Sequence, residues 1–396
     1  MYDDADEKEI EFGYYSSAVD DNVILSFTYS DRFFAGTSSS FSDQIALTSI
    51  SLATAAYSKG VSNDLLRQLG FSDIKQENYE REATPADCDY VAYTIAKKEI
   101  QINNKAKNLV VVLVRGTPAS YEWYSNFNVG QEGTHKGFST AAEEIEIDLS
   151  PYLTNRDADD NILWITGHSR GAAVANILAG TFSTNYPENI KREHVYGYTF
   201  ACPAVSIYAD TTLDNIFNFC NPGDVVTRVP LSEWGYKRNG IDIKISHADH
   251  VKKKFKELTG RKYKGFKSAA SFVKQFEKWV PDVDELYEEK NVKRIGYSRT
   301  MTKHQVLLAI ATFLVKGVRQ SAIDLTWEDI EDAILGKNMS LPVGVVTAYL
   351  STEIANNGVG FFINYDEGKT AIGDGIAHSH CQELYYAWVS TMQNGR

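Results

Sequence analysis

The tightest restriction on how this chain folds is a five-residue turn, Gly167-His168-Ser169-Arg170-Gly171, set between segments of different periodicity. Ile162 to Thr166 before it is short, apolar and β-rich, whereas Ala172 to Phe182 after it is apolar at helical spacing. A chain that passes from strand to helix in so few residues needs glycine on both sides, because a side chain there would strike the strand or the helix. Ser169 is then expected in a strained conformation, its hydroxyl projecting above the sheet at the amino end of the helix. The plainer reading of these residues is a glycine-rich turn with a capping serine. Their placement directly between strand and helix favours a nucleophile elbow.

A serine hydroxyl attacks poorly until a base takes its proton, so a histidine oriented by a carboxylate is required. In a sheet of this kind the three groups follow the order Ser, Asp, His. Asp224 closes the turn Asn221-Pro222-Gly223-Asp224, directly after the strand Ile216 to Phe219, and is the expected acid. Asp210, Asp214 and Asp242 follow no strand so directly, and Asp224 as a simple turn former is the plain alternative. His247, His250, His304, His378 and His380 all qualify as base by order. Only His378 and His380 immediately precede the closing helix, and His380 is preferred. A tetrahedral intermediate also needs backbone donors. These are expected from Arg170, after the serine, and from Thr117, at the end of Val114-Arg115-Gly116-Thr117.

Around this turn, short apolar strands alternate with helices, which indicates an α/β fold with a mainly parallel sheet flanked by helices and joined by right-handed crossovers. Tyr90 to Ile95 and Leu109 to Val114, separated by Asn103, Asn104 and Lys105, read as a hairpin leading into a buried strand. Val195 to Phe200 reads as a further strand, and Phe41 to Tyr57 and Asn63 to Leu69 as helices. After His250 the texture turns lysine-rich and helical, with Phe266 to Val280, Lys303 to Gly317 and Thr326 to Leu335 as expected helices. The expected organisation is a core over 1–250, a mostly helical cap insertion over 251–373 between acid and base, and a return to the core over 374–396 with the final helix Gln382 to Met392. Because both ends of the insertion must leave the sheet near the acid and the base, it is expected to sit over the site. Its apolar residues Phe266, Phe272, Phe276, Trp279, Phe313 and Leu314 are expected mostly to form its own core.

The formal charge of −12 over 396 residues opposes a general affinity for nucleic acid or anionic membrane. Local exceptions are possible. Lys252, Lys253, Lys254, Arg261, Lys262, Lys264 and Lys267 cluster, and read as a solvated helical face against the alternative of a patch for anionic lipid or substrate. Cys88, Cys202, Cys220 and Cys381 are scattered and suggest free thiols. No run approaches the roughly 18 apolar residues of a membrane span, so none is expected. The start Met-Tyr-Asp-Asp lacks a basic segment followed by an apolar one, so no export signal is expected in this sequence. The compartment stays open: extracellular if a leader was removed, otherwise cytoplasmic.

The residues quoted so far resemble those of the class 3, fungal-type triacylglycerol lipase family, from about Phe41 to Phe219 and again near the C-terminus. Val112-Leu113-Val114-Arg115-Gly116-Thr117 is similar to its oxyanion strand, Trp123 to its downstream tryptophan, and His135-Lys136-Gly137-Phe138 to its His-x-Gly-Phe segment. Gly167 to Gly171 resembles the elbow, Phe200-Ala201-Cys202-Pro203 the Phe-Gly-x-Pro strand end, and Asp224-Val225-Val226 through Val229-Pro230 the acid loop. His380, followed after a short gap by Tyr385, is similar to the final histidine of bacterial members. There are departures: the segment between oxyanion strand and elbow is short, more than a hundred residues separate Asp224 from His380, and Arg238 stands where many members have histidine.

The resemblance implies an α/β-hydrolase that cleaves carboxylic esters, acylglycerols or other lipid esters among them, through an acyl-enzyme and without metal or organic cofactor. A lipid or small ester is the expected partner, with transient contact at a lipid interface and no nucleic acid. Two rivals remain. One is a zinc-dependent hydrolase built on His247-x-x-His250 or on His378-x-His380 with Cys381. The other is a non-catalytic binding protein that keeps the fold.

Overall fold

Alternation along the apolar strands decides the architecture. In the computed structural model, which describes residues 7–81, 89–116, 133–154, 156–228, 235–268, 270–271 and 375–393, Leu109, Val111 and Leu113 join one buried cluster while Val110, Val112 and Val114 join another. A strand buried on both faces reads as an unbroken apolar run because each face takes every second side chain.

That strand, β5 (Lys105–Val114), is the pivot of a seven-stranded sheet. Its partners on one side are β3 (Ser72–Glu77) and β4 (Tyr93–Ile102); on the other are β6 (Asn161–His168), β7 (Val195–Phe200), β8 (Ile216–Cys220) and β9 (Ile241–Lys244). β3, β4 and β5 pair antiparallel, and β5 through β9 pair parallel. Positive φ at Asn103 and Asn104 makes the two-residue turn between β4 and β5, as the Asn-Asn sequence suggests. The expected α/β-hydrolase architecture, a mainly parallel sheet with flanking helices, is the one observed.

One face of the sheet carries α3 (Lys136–Leu153) and α4 (Arg170–Thr184), whose buried residues Phe138, Ile145, Leu149, Val174 and Leu178 meet the Val110 series. The other carries α1 (Asp43–Ala55), neighboured by α2 (Lys59–Gln68), and the closing helix α6 (Gln382–Gln393). Here Trp164, Tyr198, Phe200 and Phe219 pack with Leu384, Tyr385 and Trp388.

Over that second layer lies a hairpin the sequence reading did not foresee, β1 (Lys8–Ser16) with β2 (Asp21–Tyr29). Ile10 and Phe12 alternate with acidic residues there, and the acidic composition masked the two-residue period. The hairpin is tied to α6 by the Tyr14 hydroxyl, which donates to Glu383 Oε1 at 2.6 Å, and by the Tyr386 hydroxyl, which donates to the Ser26 carbonyl.

The expected insertion from Val251 begins with α5 (Asp249–Thr259). Val251, Phe255 and Thr259 line its buried stripe, and the helix packs against α6 and β2. The first turns of that span are therefore core, and 272–374 lie outside the described residues, as do Phe272, Phe276, Trp279, Phe313, Leu314 and His304. Among the described residues no helix is long and apolar enough to cross a membrane.

Candidate active site

Ser169 sits between β6 and α4 with φ 60° and ψ −129°, a region that L-residues rarely enter. Three features hold it there. Its N–H donates to the Phe200 carbonyl at 2.9 Å. A Cβ on Gly167 would lie 2.5 Å from the Gly171 carbonyl oxygen, and one on Gly171 would overlap the Val114 carbonyl. Strand and helix thus meet only because both positions lack a side chain. Arg170, the first residue of α4, places its amide at the amino end of the helix, where N–H groups point away from the helix body.

Asp224 follows β8, as its turn sequence predicts, and is buried. Its Oδ1 accepts from the Val226 N–H at 2.9 Å, and Oδ2 accepts from the Tyr385 hydroxyl at 3.2 Å and lies 2.7 Å from His380 Nδ1. His380 Nε2 is 2.8 Å from Ser169 Oγ. A carboxylate only accepts, so Nδ1 carries the ring proton and Nε2 is left to accept from the serine hydroxyl. Ser169 is buried, whereas the His380 side chain keeps 14% of its surface exposed.

Asp210, Asp214 and Asp242 are spent elsewhere: Asp210 caps a turn at Thr212, Asp214 pairs with Arg192 at 2.7 Å, and Asp242 pairs with Arg238 at 2.7 Å. His378 is buried, with Nδ1 accepting from the Lys264 N–H at 3.0 Å and its ring packed against Phe255 and Tyr263. His247 is half-buried beside Tyr263, and burial followed by the charges of Lys252 and Lys267 holds its imidazole below its usual range. Thr117 and Trp123 lie outside the described residues, so the second backbone donor is without geometry. Among the described residues no cluster of His, Cys, Asp or Glu has the arrangement of a metal site. Burial raises the thiols of Cys202 and Cys381 far above their usual range and pushes Cys220 up to about 12.

Three residues that sequence reasoning passed over surround the site. His168, inside the elbow, lies 2.7 Å by Nε2 from the His380 carbonyl and 2.9 Å by Nδ1 from the Tyr57 hydroxyl. The carbonyl can only accept, so Nε2 donates and Nδ1 accepts from Tyr57. Asn221 donates from Nδ2 to the Ser379 carbonyl at 2.6 Å and accepts the Gly223 N–H on Oδ1, joining the Asp224 turn to the residue before His380. Only the position of His168 beside Ser169 offered a signal; Tyr57 and Asn221 reach the site through tertiary contacts.

Comparison with known proteins meets this geometry at its centre. The family profile described as Lipase (class 3) matches residues 111–234, from β5 through the elbow and β8 to beyond Asp224. Over this segment the chain is similar to the class 3 lipases. The matched segment contains Ser169 and Asp224, while His380 lies downstream of it. A secreted mono- and diacylglycerol lipase of Fusarium solani is 29% identical over 164 residues, which are 37% of this chain and 44% of that protein. The match thus spans less than half the length of that relative. Two solved structures are similar at low identity. A mono- and diacylglycerol lipase from Aspergillus oryzae shares 20% identity with a TM-score of 0.38, covering 53% of this chain and 82% of that one. A lipase from Rhizopus microsporus var. chinensis shares 19% with a TM-score of 0.33, covering 52% and 76%.

Proposed function

We propose that the protein hydrolyses carboxylic esters through an acyl-enzyme formed on Ser169. The observation that carries this reading is the unbroken relay from Ser169 Oγ to His380 Nε2 at 2.8 Å and from His380 Nδ1 to Asp224 Oδ2 at 2.7 Å. His380 takes the hydroxyl proton as Oγ bonds to the ester carbonyl carbon, and Asp224 stabilises the imidazolium and holds its orientation. The developing oxyanion is met by the Arg170 amide and by that of Thr117. His380 then returns the proton to the departing alcohol, and a water activated by the same imidazole releases the acid. His168 and Asn221 act as positioning residues, because they hold the backbone of His380 and Ser379 rather than touching the reacting atoms.

Acylglycerols or other lipid esters are the proposed substrates. The class 3 match and the mono- and diacylglycerol lipase named among the relatives support this choice. A series of nitrophenyl esters of rising acyl length, with and without emulsion, tests both parts. Ser169→Ala is expected to lower kcat by roughly three orders of magnitude or more at unchanged Tm. Activity within tenfold of the parent, or a profile confined to the shortest esters, would contradict the serine assignment or the lipid assignment respectively.

A further inference from the structure

The chain as a whole carries −12, yet residues 249–268 hold eight lysines and arginines against two acids, Asp249 and Glu257. Those two acids already face lysines of the same helix, Lys252 at 3.5 Å and Lys253 at 3.8 Å. Burying Val251, Phe255 and Thr259 turns the opposite side of α5 outward, so Lys253 and Lys256 are exposed. Gly260, at φ 68°, ends the helix. The chain then doubles back with Arg261, Lys262, Lys264 and Lys267 also exposed.

This returning segment borders the site. The Lys264 N–H donates to His378 Nδ1 at 3.0 Å, the Phe266 N–H donates to Ser379 Oγ at 2.7 Å, and the Phe266 carbonyl lies against Gly223, next to Asp224. A band of positive charge therefore runs from α5 to the two residues that precede His380, in a chain whose net charge is −12. The cations are spread along α5 and the segment that follows it. That distribution suits a plane of many anions better than one small anion.

We propose that the band from Lys253 to Lys267 docks the protein on an anionic lipid surface, with the Ser169 site at the edge of the contact. The inference rests on the ester-hydrolase reading for its purpose, but the binding it predicts does not require catalysis. A duplex nucleic acid also presents many anions; a lipid surface is favoured because the band borders the Ser169 site, whose proposed substrates are lipid esters.

The test uses the full chain carrying Ser169→Ala, so that no lipid is consumed. Co-sedimentation is measured with pure phosphatidylcholine vesicles and with mixed phosphatidylcholine/phosphatidylglycerol vesicles, at low and at raised salt. Partition is expected to rise roughly tenfold or more with phosphatidylglycerol and to fall as salt screens the charges. Lys253→Glu/Lys256→Glu/Lys262→Glu should cut it by roughly a hundredfold. The same three positions changed to Gln should give an intermediate loss, which guards against a misfolded charge reversal. A control triple, Lys105→Glu/Arg156→Glu/Lys191→Glu, changes net charge equally at the amino ends of β5, β6 and β7, the edge of the sheet opposite Ser169, and should cost only a few fold. Equal binding to both vesicle types, equal losses in the two triples, or duplex DNA bound as tightly as the mixed vesicles would overturn the inference. Hydrolysis of a water-soluble nitrophenyl ester by the parent chain is scored separately. If that activity is present and the vesicle preference absent, the docking surface fails while the hydrolase reading stands.

Discussion

Ser169 and His380 lie 2.8 Å apart, yet opposite kinds of structure hold them. Ser169 is held within a single stretch of chain, β6, the turn and α4, by glycines that let strand and helix touch. His380 is held from outside, by His168 at its carbonyl and by Asn221 and Phe266 at Ser379, residues 113 to 212 positions away in sequence. Where the first arrangement is damaged, the core beneath it must open; where the second is damaged, a side chain drifts over an intact sheet. Stability should therefore report on the Ser169 turn, and rate on the placement of His380.

The sharpest way to break this contrast is Gly171→Ala. The added methyl overlaps the Val114 carbonyl in the middle of the sheet. The expected cost is about 3 kcal/mol of unfolding free energy, read from urea denaturation. A variant as stable as the parent would show that the elbow is not held by close approach.

On the base side, His168→Phe keeps a ring of similar shape but removes the donor to the His380 carbonyl and the acceptor for Tyr57. Its kcat is expected to fall roughly tenfold to a hundredfold with KM unchanged, because only the position of the imidazole is lost. The midpoint of unfolding should shift far less than for Gly171→Ala. Equal rate and stability losses in both variants would erase the distinction.

A smaller effect is expected at Tyr385, which donates to the same Asp224 oxygen that faces His380. Tyr385→Phe should reduce kcat by about fivefold, less than the full worth of a hydrogen bond to a charged acceptor because the Val226 N–H and His380 still hold Asp224. Burial, and next the charge of Asp224, hold the Tyr385 phenol protonated well above its ordinary value. The unfolded chain releases that proton near pH 10 while the folded chain keeps it, so this contribution to stability is complete below about pH 10 and is lost as pH rises further. In Tyr385→Phe the alkaline decline should be correspondingly shallower in a pH series of thermal unfolding.

The same contrast explains what could be read from the sequence. The elbow, the β4–β5 turn at Asn103-Asn104 and the strands from Leu109 to Phe219 are written in local order, so residue spacing was enough to place Ser169 and Asp224 after their strands. The hairpin of β1 and β2 gains its burial from α1 and α6, and β9 is a four-residue edge strand with three of its residues exposed, so neither carried a decisive local signal. The choice between His378 and His380 had the same character. Both precede the closing helix, and only the tertiary contacts of Lys264, Phe255 and Tyr263 turn one away from Ser169 while Asp224 draws the other toward it. In α5 the lysine-rich composition obscures a second pattern, the buried stripe of Val251 and Phe255 four residues apart.

The most direct test of the relay is covalent labelling by a fluorophosphonate, with the modified residue located by peptide mass spectrometry. The account predicts a single adduct on Ser169, formed on the order of a thousandfold more slowly in His380→Ala at unchanged Tm. An adduct on another residue, or labelling of His380→Ala at the parent rate, would contradict it.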